Sequence, residues 1–128
     1  MTVLIDTNVL LRIADVNHTT HSICRQSLEQ LNAAKVEISI VPQVLYEFWV
    51  VATRPIEVNG LGMSHSSVTQ SLQLLIARYT FYRNDAALFD RWHALVTTQA
   101  IAGKTAHDAR LVAAMLSHNI GCILTLTT

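Results

Sequence analysis

Short apolar, β-branched runs alternate with longer segments whose apolar residues recur at helical spacing, and this alternation constrains the chain more than any other feature. Thr2-Val3-Leu4-Ile5 is apolar on both faces, as a strand inside a parallel sheet must be. Asp6-Thr7-Asn8 reads as a strand-to-helix turn, because Val9 to Ala14 takes up helical spacing at once. Past a polar break from Asp15 to Thr20, Ile23, Leu28 and Leu31 share one side of a helix over 21–34. Val36 to Ile40 alternates as a second strand, and Pro42 suits the first turn of a helix over 43–52. Residues 54–63 hold a proline and two glycines and form a loop, after which Ser64 caps a helix reaching 78. Tyr79 to Tyr82 is a third strand, and Asn84 or Asp85 caps a helix to 101. Beyond the Gly103-Lys104 turn, Thr105 opens a helix to 118, and Ile123 to Leu126 is the last strand. Such an order predicts a single α/β domain over 1–128 with a central, mainly parallel sheet and right-handed crossovers.

Composition narrows the class of function. Hydrophobic residues make up 51% of the 128, charged residues 14%, and the formal net charge is zero. Average globular chains carry about 25% charged residues, so a disordered chain, a coiled coil and a strongly basic wrapper of nucleic acid are excluded, while a local basic patch is not. The apolar start meets Asp6 after five residues, too soon for a signal peptide, and no apolar run approaches a membrane span. Cys24 and Cys122 lie far apart and form no metal or redox motif, which places the chain in a reducing cytoplasm. Cys122, inside an apolar run, reads as a small buried hydrophobe. The six histidines form no zinc pattern with cysteine.

The informative residues are three carboxylates in apolar surroundings. Asp6 directly follows a strand, where open α/β sheets bind ligands, although an acid there also caps the following helix. Glu47 stands beside the apolar arc of Val44, Leu45, Phe48, Val51 and Ala52, on a helix apolar nearly all round. A buried carboxylate needs a cation, a proton or an ion pair, and Arg12 or Arg54 is the simple structural partner. Asp108 fits a capping-box spacing with Thr105, yet its alignment with Leu111, Val112 and Met115 turns it inward. Three inward acids from separate elements form a hard-oxygen site suited to Mg²⁺ or Mn²⁺.

The motifs around these acids resemble those of PIN domains. Val3-Leu4-Ile5-Asp6-Thr7-Asn8-Val9-Leu10 resembles their opening signature, Val41-Pro42-Gln43-Val44-Leu45-Tyr46-Glu47-Phe48 their second motif, and Gly103-Lys104-Thr105-Ala106-His107-Asp108-Ala109-Arg110 their third. In order and spacing the chain resembles VapC-type toxins. That resemblance implies a three-layer α/β/α PIN-like domain and a Mg²⁺- or Mn²⁺-dependent endoribonuclease with an RNA substrate, an antitoxin partner and a homodimeric state. It assigns the catalytic and metal-binding roles to Asp6, Glu47 and Asp108, with Thr7 and Asn8 supporting the site. Arg12, Lys104 and Arg110 flank the acids in sequence and are the candidates for RNA phosphate contact. The family places a further acid after the Ile-Leu-Thr-Leu strand, whereas here Thr127 and Thr128 follow. Either the sequence stops short of the family's C-terminal end or that acid is absent. The alternative is therefore a catalytically weak PIN-like module that binds RNA or protein. A haloacid-dehalogenase phosphatase needs a second Asp where Asn8 stands, and a receiver domain needs an acidic pair at Asp6.

Overall fold

The computed structural model describes residues 1–126. Four parallel strands form one sheet: β1 (Thr2–Ile5), β2 (Glu37–Ile40), β3 (Thr80–Phe81) and β4 (Cys122–Leu124), in the spatial order β3-β2-β1-β4. The connections hold the helices: α1 (Thr7–Ala14) and α2 (His21–Ala33), α3 (Pro42–Thr53) and α4 (His65–Arg78), α5 (Leu88–Thr98) and α6 (Lys104–Ser117). The chain winds outward from β1 through β2 to β3, then crosses the sheet to place β4 on the other side of β1. Register sets Val3 opposite Ile38 on one side and Cys122 on the other, and Ile5 opposite Leu124. This parallel α/β architecture with flanking helices is the one the PIN resemblance implies.

The core sits where β1 and β2 meet α1 and α3. Leu4, Ile5, Ile40, Val44 and Ala52 are wholly buried, and Val9, Leu10 and Phe48 nearly so. α3 can begin at Val41 without a side-chain cap because Pro42 supplies no N–H to satisfy and presets the helical φ. Ser64 does cap α4, accepting from the Ser67 amide at 3.2 Å. Buried Ser39 is satisfied by donating from its hydroxyl to the Val3 carbonyl at 3.1 Å, which ties β2 to β1 once more.

Several expectations from the sequence shift. The third strand contracts to two residues, and the last ends at Leu124. Cys122 is exposed because β4 is an edge strand with only β1 beside it. Cys24 is the buried thiol, and burial raises its pKa against the opposing pull of Arg12. α5 begins at Leu88, with Asp85 closing a turn by accepting from the Ala87 amide. α6 begins one residue before Thr105, from Gly103 at φ +64°, and has no side-chain cap. The Thr105–Asp108 capping box therefore does not form. Among the described residues no helix is long and apolar enough to cross a membrane. Thr127 and Thr128, where the chain departs from the PIN pattern, lie outside the described residues.

Candidate functional site

Winding that reverses direction beside β1 opens a crevice beyond the carboxyl ends of β1 and β4, the place where open parallel sheets bind ligands. Asp6 stands there. Its main-chain N–H continues the β1–β4 ladder, donating to the Leu124 carbonyl at 3.0 Å, and its own carbonyl accepts from Val9 and Leu10 as the N-cap of α1. Its carboxylate is fixed from both sides: Oδ1 accepts from the Thr7 amide and Oδ2 from the Thr125 hydroxyl, each at 2.8 Å. Capping and site roles thus coexist in one residue.

Thr7 links Asp6 to Glu47. Its hydroxyl donates to Glu47 Oε2 at 2.7 Å, while Gln43, one helical turn earlier on α3, donates from Nε2 to Oε1 at 3.1 Å. Glu47 is half-buried and, among the described residues, forms no ion pair with Arg12, Arg54 or any other cation. Hydrogen bonds to the charged form stand in for the cation that burial would otherwise demand. Buried Gln43 also accepts from Arg110 Nε at 3.1 Å. A carboxylate only accepts and a guanidinium only donates, so the amide between them has one workable orientation. One polar chain therefore runs from α6 through α3 and α1 to the end of β1.

Asn8 closes the other flank. Its amide donates to the Leu126 carbonyl at 3.0 Å and accepts from the Leu126 N–H at 3.2 Å, as a neighbouring strand would. It also donates to Thr125 Oγ1 at 3.1 Å, leaving that hydroxyl's proton for Asp6. Thr7 and Asn8 are thus in contact with the acids or their partners.

Asp108 is placed differently from the inward position its sequence phase suggests. It is exposed, and its side chain forms no hydrogen bond or ion pair among the described residues. The buried face of α6 is Ala109, Ala113 and Ala114, whereas Val112 and Leu116 are exposed. Of the three cations, Arg110 joins the network, Lys104 is exposed at the start of α6, and Arg12 sits 4.0 Å from Asp15. Gln43 and Thr125 were not singled out from sequence. The spacing of Gln43 four residues before Glu47 was the available signal for the first, and a hydroxyl inside the apolar run from Cys122 to Leu126 for the second.

Each oxygen of Asp6 and Glu47 accepts one hydrogen bond and retains lone-pair capacity. These are hard donors of the kind that hold Mg²⁺ or Mn²⁺ through one or two carboxylates, with water completing the shell. Among the described residues no group of three or more His, Cys, Asp or Glu stands at metal-holding spacing. The residues fit a water-rich ion and not an all-protein cage.

Fold and crevice together define the class as a PIN-like α/β domain. No family model and no curated protein sequence matches the chain. Among solved structures it is similar to VapC20 of Mycobacterium tuberculosis, described as a sarcin-ricin loop cleaving toxin, at TM-score 0.67 and 16% identity, covering 98% of this chain and 89% of that one. It is likewise similar to VapBC2 of Rickettsia felis bound to a DNA fragment from their promoter, at TM-score 0.67 and 14% identity, covering 99% and 89%. At these identities the likeness establishes the fold and bears out the PIN and VapC resemblance at that level.

Proposed function

We propose that this chain is a divalent-metal-dependent endoribonuclease and the toxin of a toxin–antitoxin pair. The observation that carries this reading is the pair Asp6 and Glu47, bonded to the same Thr7 at the switch point of a parallel sheet. The RNA-cleaving description of the M. tuberculosis neighbour supports it.

In this reading Asp6 and Glu47 hold Mg²⁺ or Mn²⁺, and Asp108 is the third acid. When bound, the ion supplies a water of lowered pKa and offsets charge on the scissile phosphate. Thr7, Gln43 and Thr125 fix the carboxylates so that little reorganisation is needed on binding. Arg110, Lys104 and Arg12 are assigned to phosphate. An antitoxin partner, supported by the R. felis VapBC2 neighbour, and a cytoplasmic place of action belong to the same proposal. So does a homodimer, for which Tyr46 and Val50 on the outer face of α3 are 60% and 55% exposed.

Incubation of single-stranded RNA with the protein and Mn²⁺, against EDTA, tests the reading. Asp6→Asn and Glu47→Gln should each lower cleavage by at least about a hundredfold. Both should also lose the metal-induced rise in melting temperature, which reports occupancy independently of turnover. Asp108→Asn should lose cleavage as well. Retained cleavage in that variant removes Asp108 from the site. The second reading, a binding module without turnover, draws on the isolation of Asp108 from the other acids. It is the answer if wild type binds RNA but leaves it intact in both metals.

A further inference from the structure

α5 buries no residue, yet it carries Leu88, Phe89 and Trp92. With His107 and Arg110 of α6, these side chains line a cavity of about 300 Å³. That is the low end of the range for small-ligand sites, roughly 300–1,000 Å³. Phe89 is 66% exposed and lies nearly parallel to His93, with centroids 5.8 Å apart and planes at 12°; Trp92 tilts against Phe89 at 5.8 Å. Trp92 is fixed because its indole N–H donates to the Ala106 carbonyl at 2.6 Å. A rigid aromatic wall thus faces solvent beside a guanidinium, and that guanidinium reaches Glu47 through Gln43 in two hydrogen bonds.

We infer that this cavity between α5 and α6 is a subsite for one nucleotide of single-stranded RNA, its base stacked on Phe89 and its phosphate held by Arg110. The inference rests on the nuclease reading for its substrate class and adds the place where that substrate is gripped. Flat π-faces take any base, and a guanidinium with nearby imidazoles complements a phosphate. Continuity with the carboxylate network puts the gripped nucleotide next to the candidate cleavage centre. A helix from a protein partner, about 10 Å across, needs a longer groove than these five residues form.

The test is a titration of a mixed-sequence twelve-nucleotide single-stranded RNA in EDTA, followed by tryptophan emission in a Trp49→Phe background where Trp92 is the one remaining tryptophan. Wild-type surface residues should give saturable quenching. Phe89→Ala should weaken binding about tenfold to a hundredfold, the worth of one stacked base, and Phe89→Tyr should restore it. Arg110→Met should lower the log–log salt slope by about 0.7. Absent quenching, an affinity indifferent to Phe89→Ala, or an unchanged salt slope overturns the subsite. So does a partner protein that needs Phe89 when RNA does not. Binding through Phe89 without cleavage in Mg²⁺ or Mn²⁺ refutes the nuclease reading and keeps the subsite. Cleavage with KM unaltered by Phe89→Ala does the reverse.

Discussion

α3 and α5 are similar in length, 12 and 11 residues, but they spend their side chains differently. α3 buries Val44, Leu45, Phe48 and Ala52 against the sheet and α1, with Pro42 and Gln43 buried at its start. α5 buries nothing, and its neighbour α6 buries only alanines. Alanine lets α6 lie close to α5 while removing little apolar area from water, so the C-terminal helices gain less per residue than α3 does. The N-terminal half carries most of the buried core and fixes Glu47 through Thr7 and Gln43, while Asp6 takes one of its two carboxylate donors from Thr125, just past β4. The C-terminal pair rests on it through half-buried Leu88, Leu111 and Met115 and leaves Phe89, Val112 and Leu116 exposed, where a ligand can use them.

The largest effect should come from Phe48→Ala, which empties a site 1% exposed and should cost about 3–5 kcal/mol in urea unfolding. Phe89→Ala, the same chemical change on α5, should stay within about 0.5 kcal/mol. Equal costs would break the comparison. Native-state hydrogen exchange should next show α5 amides opening at free energies well below the global value, with α3 amides near it. A single protection level across both helices would mean that they unfold together. Thr125→Val removes the donor to Asp6 Oδ2 on the seam between the halves. It should cost about 1 kcal/mol, low for a bond to a charged group because the pair is exposed, and should depress cleavage far more than stability.

The smallest effect concerns the point where the chain leaves the sheet for α5. There Tyr82 donates to Glu37, which also accepts from Thr2, and the His118 ring stacks on Tyr82 at 4.9 Å. These bonds, Tyr82's foremost, hold the Glu37 carboxyl below its ordinary pKa, and Glu37 in turn raises the Tyr82 phenol. The Glu37 contribution is therefore present above the free carboxylate pKa and fades as pH falls through the lowered folded value. The Tyr82 contribution is present below the free phenol pKa and is lost as pH rises through the raised one. Tyr82→Phe should flatten both limbs of a melting-temperature profile slightly, since the groups are near the surface. A steeper acid limb would contradict the assignment.

The strand–helix alternation, the position of Asp6 and the start of α3 were all legible in the sequence, because apolar periodicity and Pro42 report local geometry directly. Phase on α6 was not. Leu111 and Met115 pack against the core as their phase suggests, but Val112 is exposed, the fully buried positions are Ala109, Ala113 and Ala114, and Asp108 faces solvent. Cys122 is exposed, not buried, for a related reason: an apolar run reads alike in a central strand and an edge strand, and only pairing order tells them apart. Gln43 and Thr125 act through partners distant in sequence, Arg110 and Asp6, which no local pattern encodes.

The bond between Thr125 and Asp6 spans 119 positions of chain, and it makes the crevice a late event in the life of each molecule. At roughly 5–20 residues per second, a ribosome makes Thr125 about 6 to 24 s after Asp6. Until β4 docks, Asp6 lacks both its Oδ2 donor and the ladder bond to Leu124. Loop closure over so long a segment is also the slow kind of contact in folding. A nascent chain therefore carries Asp6 and Glu47 long before their surroundings are assembled, and Asp6 gains its full set of partners only after β4 has found β1.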